Sequence, residues 1–465
     1  MRPQTEEAYQ LLHDGAIALA EVEAAGMRVD VPYLNRITEE AVGKIRELTY
    51  KLKDSEVWGN WRRKYGEKAN LTSDAQLTDI LFKDMGYEAK AYTATGRAKA
   101  DVEALEKIDH PFVKDYVRMK KLSKLHGTYL TGLQREVVDG LVHPFFHLHK
   151  VVTYRSSSSD PNFQNLPIRD GEIAEMLRTA FIPRDGHLII ENDFKGIEVC
   201  ASACYNRDPV LIEYIKDPTK DMHRDCAAAL FCIPPDSPYW KTKDGKNARY
   251  VGKNQYVFPG FYGSYYIQTA AGIWLGMREK DLHYNGDSME GWLATNGIYE
   301  LGDLNPKAEP RPGTFEKHVK EYENWYWHTK YVAYSQWKKD WVEAYQRTGG
   351  FLSLTGFYYE GIFERNQVLN YTIQGSAFHW LLWVLIRMVK WLKKNKMQSK
   401  IVGQIHDSIL GDVHESEKDD YLAKMKELVT EGLRKYWSWI CVPLTVEAEI
   451  TDVNGNWFAK RSIEI

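Results

Sequence analysis

The sequence predicts an α+β chain of several subdomains, and three observations carry that expectation. Its 465 residues exceed what one hydrophobic core usually organises. Long stretches place apolar residues at helical spacing, among them 5–26, 33–55, 101–137, 315–348 and 376–397. Other short runs read as strands: 145–153, 187–192 and parts of 400–465, where strand and helix alternate.

In chain order, Leu11, Leu12, Ile17, Leu19, Ala20 and Val22 recur at helical spacing, and Gly26 is a stop signal. Segments 33–55 and 101–137 read as helices with charged outer faces, and Ser73 is a candidate cap for a helix between them. Ser156–Ser159 and Asp160-Pro161 exclude helix interior. A buried strand over His187–Asn192 gives way to helical period from Phe194 to Tyr205. Segment 233–247, rich in Pro, Gly and Lys, reads as an exposed loop, and 281–314 as an irregular insertion.

Composition narrows the class. An apolar fraction of 44% with 15 Trp and 29 Tyr favours a folded chain over a disordered one. The net charge of −3 gives no global basic excess. Basic residues are concentrated in Lys51–Lys68, Arg118–Lys124 and Arg387–Lys400. Singly these are solvated helix faces; together they make a segregated basic surface plausible. The cysteines at 200, 204, 226, 232 and 441 form no C-x-x-C pair, so neither a disulfide framework nor a zinc site is suggested. The N-terminus is no signal peptide, and no 18-residue apolar stretch suggests a membrane span. A reducing cytoplasm is expected.

Chemistry concentrates in three places. HLIIENDF delivers Asp193 to the end of a buried strand, where a helix carrying Glu198 begins. A helix cap is the bland reading of Asp193. IVGQIHDSILGDV, 401–413, places Asp407 at what looks like a hairpin turn. Two aspartates at strand ends can bind hard divalent cations through oxygen. In ARYVGKNQYVFPGFYGSYY, 248–266, Arg249 and Lys253 share a helix face suited to a triphosphate, ahead of Phe258, Phe261 and Tyr262, which can stack on a base.

These motifs resemble, in order, those of the family A DNA polymerases, which include bacterial DNA polymerase I and many phage replicases. YRSSSSDPNFQNLPIR, 154–169, is similar to the signature ahead of the first catalytic strand. DFKGIEVC resembles the first catalytic motif, the Arg249 helix the second and QIHDSIL the third. QGSAFHW, 374–380, resembles the segment before the hairpin, and VEAAGMRVD the start of the polymerase domain. The likeness runs from about residue 5 to residue 461.

The resemblance implies a right-hand polymerase fold with an antiparallel-sheet palm. The palm would combine 1–32, 138–200 and 373–465, the thumb 33–137 and the fingers 201–372, with no 3′→5′ exonuclease domain. Asp193 and Asp407 would hold two Mg²⁺ ions, Mn²⁺ being able to substitute, with the carbonyl of Phe194 as a further ligand. Arg249, Lys253 and His223 would contact the incoming triphosphate, and Glu198 would crowd the sugar 2′ position. Arg169 would lie near the primer end or triphosphate. Arg155, Asn165, Gln374 and His406 would contact primer–template at the minor groove. The implied activity is template-directed addition of deoxynucleotides in a bacterial or phage-infected cytoplasm, with no membrane involved and a separately encoded exonuclease or processivity factor as a further partner.

Four departures qualify the likeness. Ser408 stands where the third motif often has Glu, and Lys195-Gly196 and Cys200 alter the first motif. The second motif holds one residue too many. Counting from Lys253 selects Val257 and Phe261; counting back from Tyr262-Gly263 selects Phe258 and Tyr262, which we prefer because they keep the stacking chemistry. Pro259 should break the helical register there. Nothing resembling an exonuclease precedes the polymerase motifs. Two rival readings are a non-catalytic primer–template binder with this fold, and a nucleotidyltransferase with different template use.

Overall fold

The computed structural model describes residues 2–89, 98, 100–106, 108–168 and 170–465. At its centre is a five-stranded antiparallel sheet: β1 (His187–Phe194), β2 (Lys400–Ile405), β3 (Ser408–His414), β4 (Val446–Ile450) and β5 (Arg461–Ile463). The order is β2-β3-β1-β4-β5, so the strand carrying Asp193 is central. Ile189, Ile190, Leu188 and Phe194 are buried, as a central strand covered on both faces requires. Register pairs Ser408 with Asp193 on one side and Glu447 with Asp193 on the other.

Helices pack on this sheet and extend from it. α1 (Glu6–Ala25) lies along the 30-residue α8 (Arg365–Lys394), described with its chain neighbours below. Gly15 lets α1 come close, since a Cβ there would sit 2.9 Å from a Leu382 methyl. α2 (Val31–Lys53) pairs with α3 (Pro111–Lys124), and around them Trp58, Trp61, Leu77, Phe112 and Tyr116 form a separate apolar cluster. α4 (Ile197–Asn206) follows Asp193 directly. α5 (Met222–Leu230), α6 (Lys243–Gly252) and α7 (Val332–Thr348) come next, and α8 returns the chain to β2. The main core joins the sheet to these last helices.

Several expectations need correction. The segment 233–247 is not an exposed loop: α6 starts at Lys243, and Tyr239 is only 9% exposed. Thr242 caps α6 by accepting from the Gly245 amide at 3.1 Å, and a Cβ on Gly245 would lie 2.0 Å from the Tyr239 carbonyl. That glycine marks close backbone approach rather than a loop. Segment 281–314 contains a small hairpin (His283–Tyr284 with Asp287–Ser288) and a helix, Met289–Thr295, capped by Ser288. The 101–137 helix is interrupted before Pro111, where His110 is extended. Only Phe145–His147 of 145–153 is strand. Helix 315–348 breaks at Tyr331, and α8 begins at Arg365, earlier than 376. Ser73 does cap its helix, accepting from the Gln76 amide at 3.3 Å.

The basic runs are also less bare than expected. Lys51 pairs with Asp115, Arg118 with Glu172, Lys120 with Asp74, Lys121 with Glu106 and Asp170, Lys390 with Asp14 and Lys393 with Glu21. Acidic residues distant in sequence offset much of the charge that looked segregated.

Candidate active site

The β2–β3 turn is two residues long, His406-Asp407, with His406 at a φ of 50°. The main chain fixes this turn beside β1, because the Phe194 amide donates to the Asp407 carbonyl at 3.2 Å. Asp407 therefore stands next to Asp193, as the family resemblance implied. Asp193 is open to solvent yet densely surrounded by protein. Desolvation, then the charges of Asp407 and Glu191, push its carboxyl up to about 7.

Arg155 binds this corner together. One guanidinium nitrogen reaches Glu198 at 3.1 Å and Asp407 at 3.2 Å. Its loop is tied to the hairpin: Gln164 donates to the Ser156 hydroxyl and to the Gln404 side chain, both at 2.7 Å, and Ser156 also bonds Gln404. Gln404 in turn donates to the His406 carbonyl at 2.6 Å. Phe163 pins the loop from behind, stacked on Trp457 with centroids 5.5 Å apart. Asn165 and His406 lie exposed at the rim.

Across the cleft, the extra residue of the second motif is absorbed locally. After α6 the helix widens into a π turn over Lys253–Val257, which inserts one residue, and then resumes over Phe258–Phe261. Pro259 sits at the start of the resumed turn, where its missing N–H costs little, so it does not end the helix. Tyr262 then points toward α4 and α8: its hydroxyl donates to Glu198 and also meets Gln374 of α8. Phe261 points away, 3% exposed, against Trp327 and Tyr334. The register counted back from Tyr262-Gly263 is thus the one that faces the cleft.

The cationic side chains gather one turn earlier. Arg249 donates to Asp221 at 2.6 Å and lies 3.2 Å from His223 Nδ1. Burial, with Arg249 and Lys253 beside it, holds the His223 imidazole below its ordinary range and hence neutral at pH 7. His223 meets Phe258 edge-on at 5.8 Å, and the Lys253 ammonium lies 5.2 Å over the Phe258 ring. The Lys253 charge also acts on Asp193, which places this cluster toward the two aspartates.

The structure thus brings Asp193, Asp407, Glu198, Arg155, Tyr262 and Gln374 into one network, and Arg249, Lys253, His223 and Phe258 into a facing one. Arg169 lies outside the described residues. Sequence reasoning missed Asp221, Gln164, Gln404 and Glu191. Ser408, the residue replacing the usual Glu, donates to Glu191 Oε1 at 3.1 Å. Glu191 also accepts from Trp457 at 2.9 Å and pairs with Lys460. A carboxylate is therefore present beneath Asp193, carried by β1 instead of β3. The signal was the Glu191-x-Asp193 alternation, which puts both on one face of the strand.

Among the described residues no group of three or more His, Cys, Asp and Glu is poised to hold a metal. The donor set here is two carboxylates on adjacent strands. Like charges crowded at Asp193 favour a cation between them, and all-oxygen donors fit a hard divalent ion such as Mg²⁺.

An antiparallel sheet bearing paired aspartates is thus faced by a helix of cations and aromatics. The POL domain of Pol1 from M. smegmatis, solved with DNA primer-template and dNTP, superposes with a TM-score of 0.71 at 24% identity, covering 96% of this chain and 70% of that one. The family model for DNA polymerase family A matches residues 42–264 and 357–458, and the chain belongs to that family. DNA polymerase I of Lactococcus lactis subsp. cremoris is 28% identical over 451 residues, 95% of this chain and 45% of the relative. Thermostable DNA polymerase I of Thermus aquaticus is 33% identical over 224 residues, 47% of this chain and 26% of the relative. The chain thus spans under half the length of these curated relatives. No helix among the described residues is long and apolar enough to cross a membrane.

Proposed function

We propose that this chain is the catalytic part of a template-directed DNA polymerase that adds deoxynucleotides to a primer 3′ end. The observation that carries the reading is the juxtaposition of Asp193 and Asp407 on paired strands, facing Arg249 and Lys253. Asp193, Asp407 and the Phe194 carbonyl would hold two Mg²⁺ ions, or Mn²⁺ in their place. When bound, such ions lower the pKa of the attacking hydroxyl and neutralise charge on the leaving oxygen.

The protein's own groups do the rest. Arg249, fixed by Asp221, and Lys253 contact the triphosphate, and neutral His223 donates a ring N–H to a phosphate oxygen. Phe258 stacks on the incoming base. Glu198, held by Arg155 and Tyr262, occupies the space a ribose 2′ hydroxyl would need. Arg155, Asn165, Gln374 and His406 contact the primer–template minor groove, where acceptor atoms recur in every correct pair. Residues 1–32, 138–200 and 373–465 form the palm, 33–137 the thumb and 201–372 the fingers.

Extension of a labelled primer on a DNA template, with each dNTP or rNTP supplied singly, tests this. Addition of the templated dNTP alone is expected. Binding without extension, or addition that ignores the template, would replace the reading with one of its rivals.

A further inference from the structure

Three of the five cysteines meet where α4 touches the segment 437–445. Cys441 Sγ lies 3.9 Å from Cys204 Sγ and 3.8 Å from the Ala203 carbonyl, and Cys200 Sγ lies 3.9 Å from the Pro443 carbonyl. Cys204 is 2% exposed, whereas Cys441 is partly exposed. Arg207, just past the end of α4, donates to the Trp439 carbonyl at 2.9 Å and lies beside Cys441. The bond with Cys204, and then Arg207, draw the Cys441 thiol below the ordinary thiol range. Burial raises both Cys200 and Cys204. The other partly exposed thiol, Cys232, lies 3.9 Å from His318 Nε2, and burial raises it.

We propose that Cys441 is a peroxide-reactive cysteine and Cys204 its resolving partner, so that oxidation staples the end of α4 to the 437–445 segment. A partly exposed thiol beside a cation, backed by a second thiol, is the arrangement that redox-sensing cysteines share. In the first step the Cys441 thiolate attacks a peroxide oxygen. An S–O bond forms, the O–O bond breaks, the sulfur gives up two electrons, and the leaving hydroxide takes a proton to become water. In the second step the Cys204 sulfur, having released its proton, attacks the sulfenic sulfur. An S–S bond forms, the S–O bond breaks, and a second water leaves. The sulfurs must close from 3.9 Å to about 2.05 Å. A dithiol reductant reverses the reaction by exchange.

The staple would join two segments that flank the central strand. Lys195, just after β1, donates its amide to the Thr445 carbonyl at 3.1 Å, and Val446 pairs with Phe194.

The full chain is treated with hydrogen peroxide and mapped by mass spectrometry without reduction. The expected product is a Cys204–Cys441 linked peptide pair, lost on adding dithiothreitol. In Cys204→Ser the sulfenic acid at Cys441 persists and is trapped by dimedone. Iodoacetamide at neutral pH should alkylate Cys441 about tenfold faster than Cys232. Equal alkylation of the two, dimedone capture centred on Cys232, or a linkage that excludes Cys204 would overturn the proposal.

Discussion

Replacing Tyr262 by Phe removes one hydroxyl and nothing else from the cleft. That hydroxyl donates to Glu198 Oε2, while Arg155 serves Oε1 at 3.1 Å. Without it a largely enclosed carboxylate oxygen loses its partner and Glu198 is held from one side only. A hydrogen bond to a charged group is worth roughly 1.5–3 kcal/mol, which is about tenfold to a hundredfold in an equilibrium. If Glu198 excludes the ribose 2′ hydroxyl, Tyr262→Phe should lower the preference for dATP over ATP by about tenfold or more. Phe261→Leu should leave that preference nearly unchanged, because Phe261 faces Trp327 and Tyr334. Single-nucleotide incorporation kinetics of the three proteins measure this directly. A silent Tyr262→Phe beside a crippled Phe261→Leu would refute both the steric role of Glu198 and the register that the π turn sets.

Other outcomes follow from the same contacts. Glu191→Gln should lower Tm, since Lys460 loses a buried carboxylate partner and Ser408 its charged acceptor; calorimetry that finds no change would show that network to be idle. Gly245→Ala should destabilise strongly, because its Cβ would meet the Tyr239 carbonyl at 2.0 Å, and an unchanged Tm would contradict that close approach. Lys338 is 6% exposed, 3.4 Å over the Trp327 ring, and burial pulls its amine down to about 7 from 10.5. Its unfolded form therefore binds more protons than the folded form between pH 7 and 10.5, so its penalty on folding is full below pH 7 and fades as pH rises through that window. Lys338→Met should accordingly gain most in Tm relative to the wild type near pH 6 and progressively less toward pH 10; a difference independent of pH would mean that the amine is not buried in its charged form.

The parts of the fold and site that were legible in the sequence are those encoded locally. An apolar run ending at Asp193 and a polar turn between apolar runs at Asp407 each carry their own pattern; that their strands join in one antiparallel sheet came only from the family resemblance, and its strand order not at all. The extra residue in the second motif was visible too, but only the backbone could show that a π turn absorbs it and leaves Tyr262 on the cleft side. What stayed hidden depends on pairing across the chain. Asp221 reaches Arg249 from 28 positions away, Gln164 reaches Gln404 across 240, and Ser408 reaches Glu191 across 217. Periodicity carries no trace of such contacts. The basic runs misled for the same reason, as their acidic partners lie on other elements. Gly245 misled differently, since a glycine that permits close packing looks the same in sequence as one that marks a loop.

The central claim is that Asp407, beside Asp193, holds the ion that makes the primer hydroxyl reactive. Asp407→Asn tests it most directly. The main-chain bond from the Phe194 amide to the residue 407 carbonyl survives the change, so the hairpin and the sheet should stay intact. Primer extension should fall by about a thousandfold or more, in keeping with the loss of several kcal/mol of transition-state charge stabilisation, while primer–template binding and Tm stay near the wild type. Near-wild-type extension by Asp407→Asn would contradict the account.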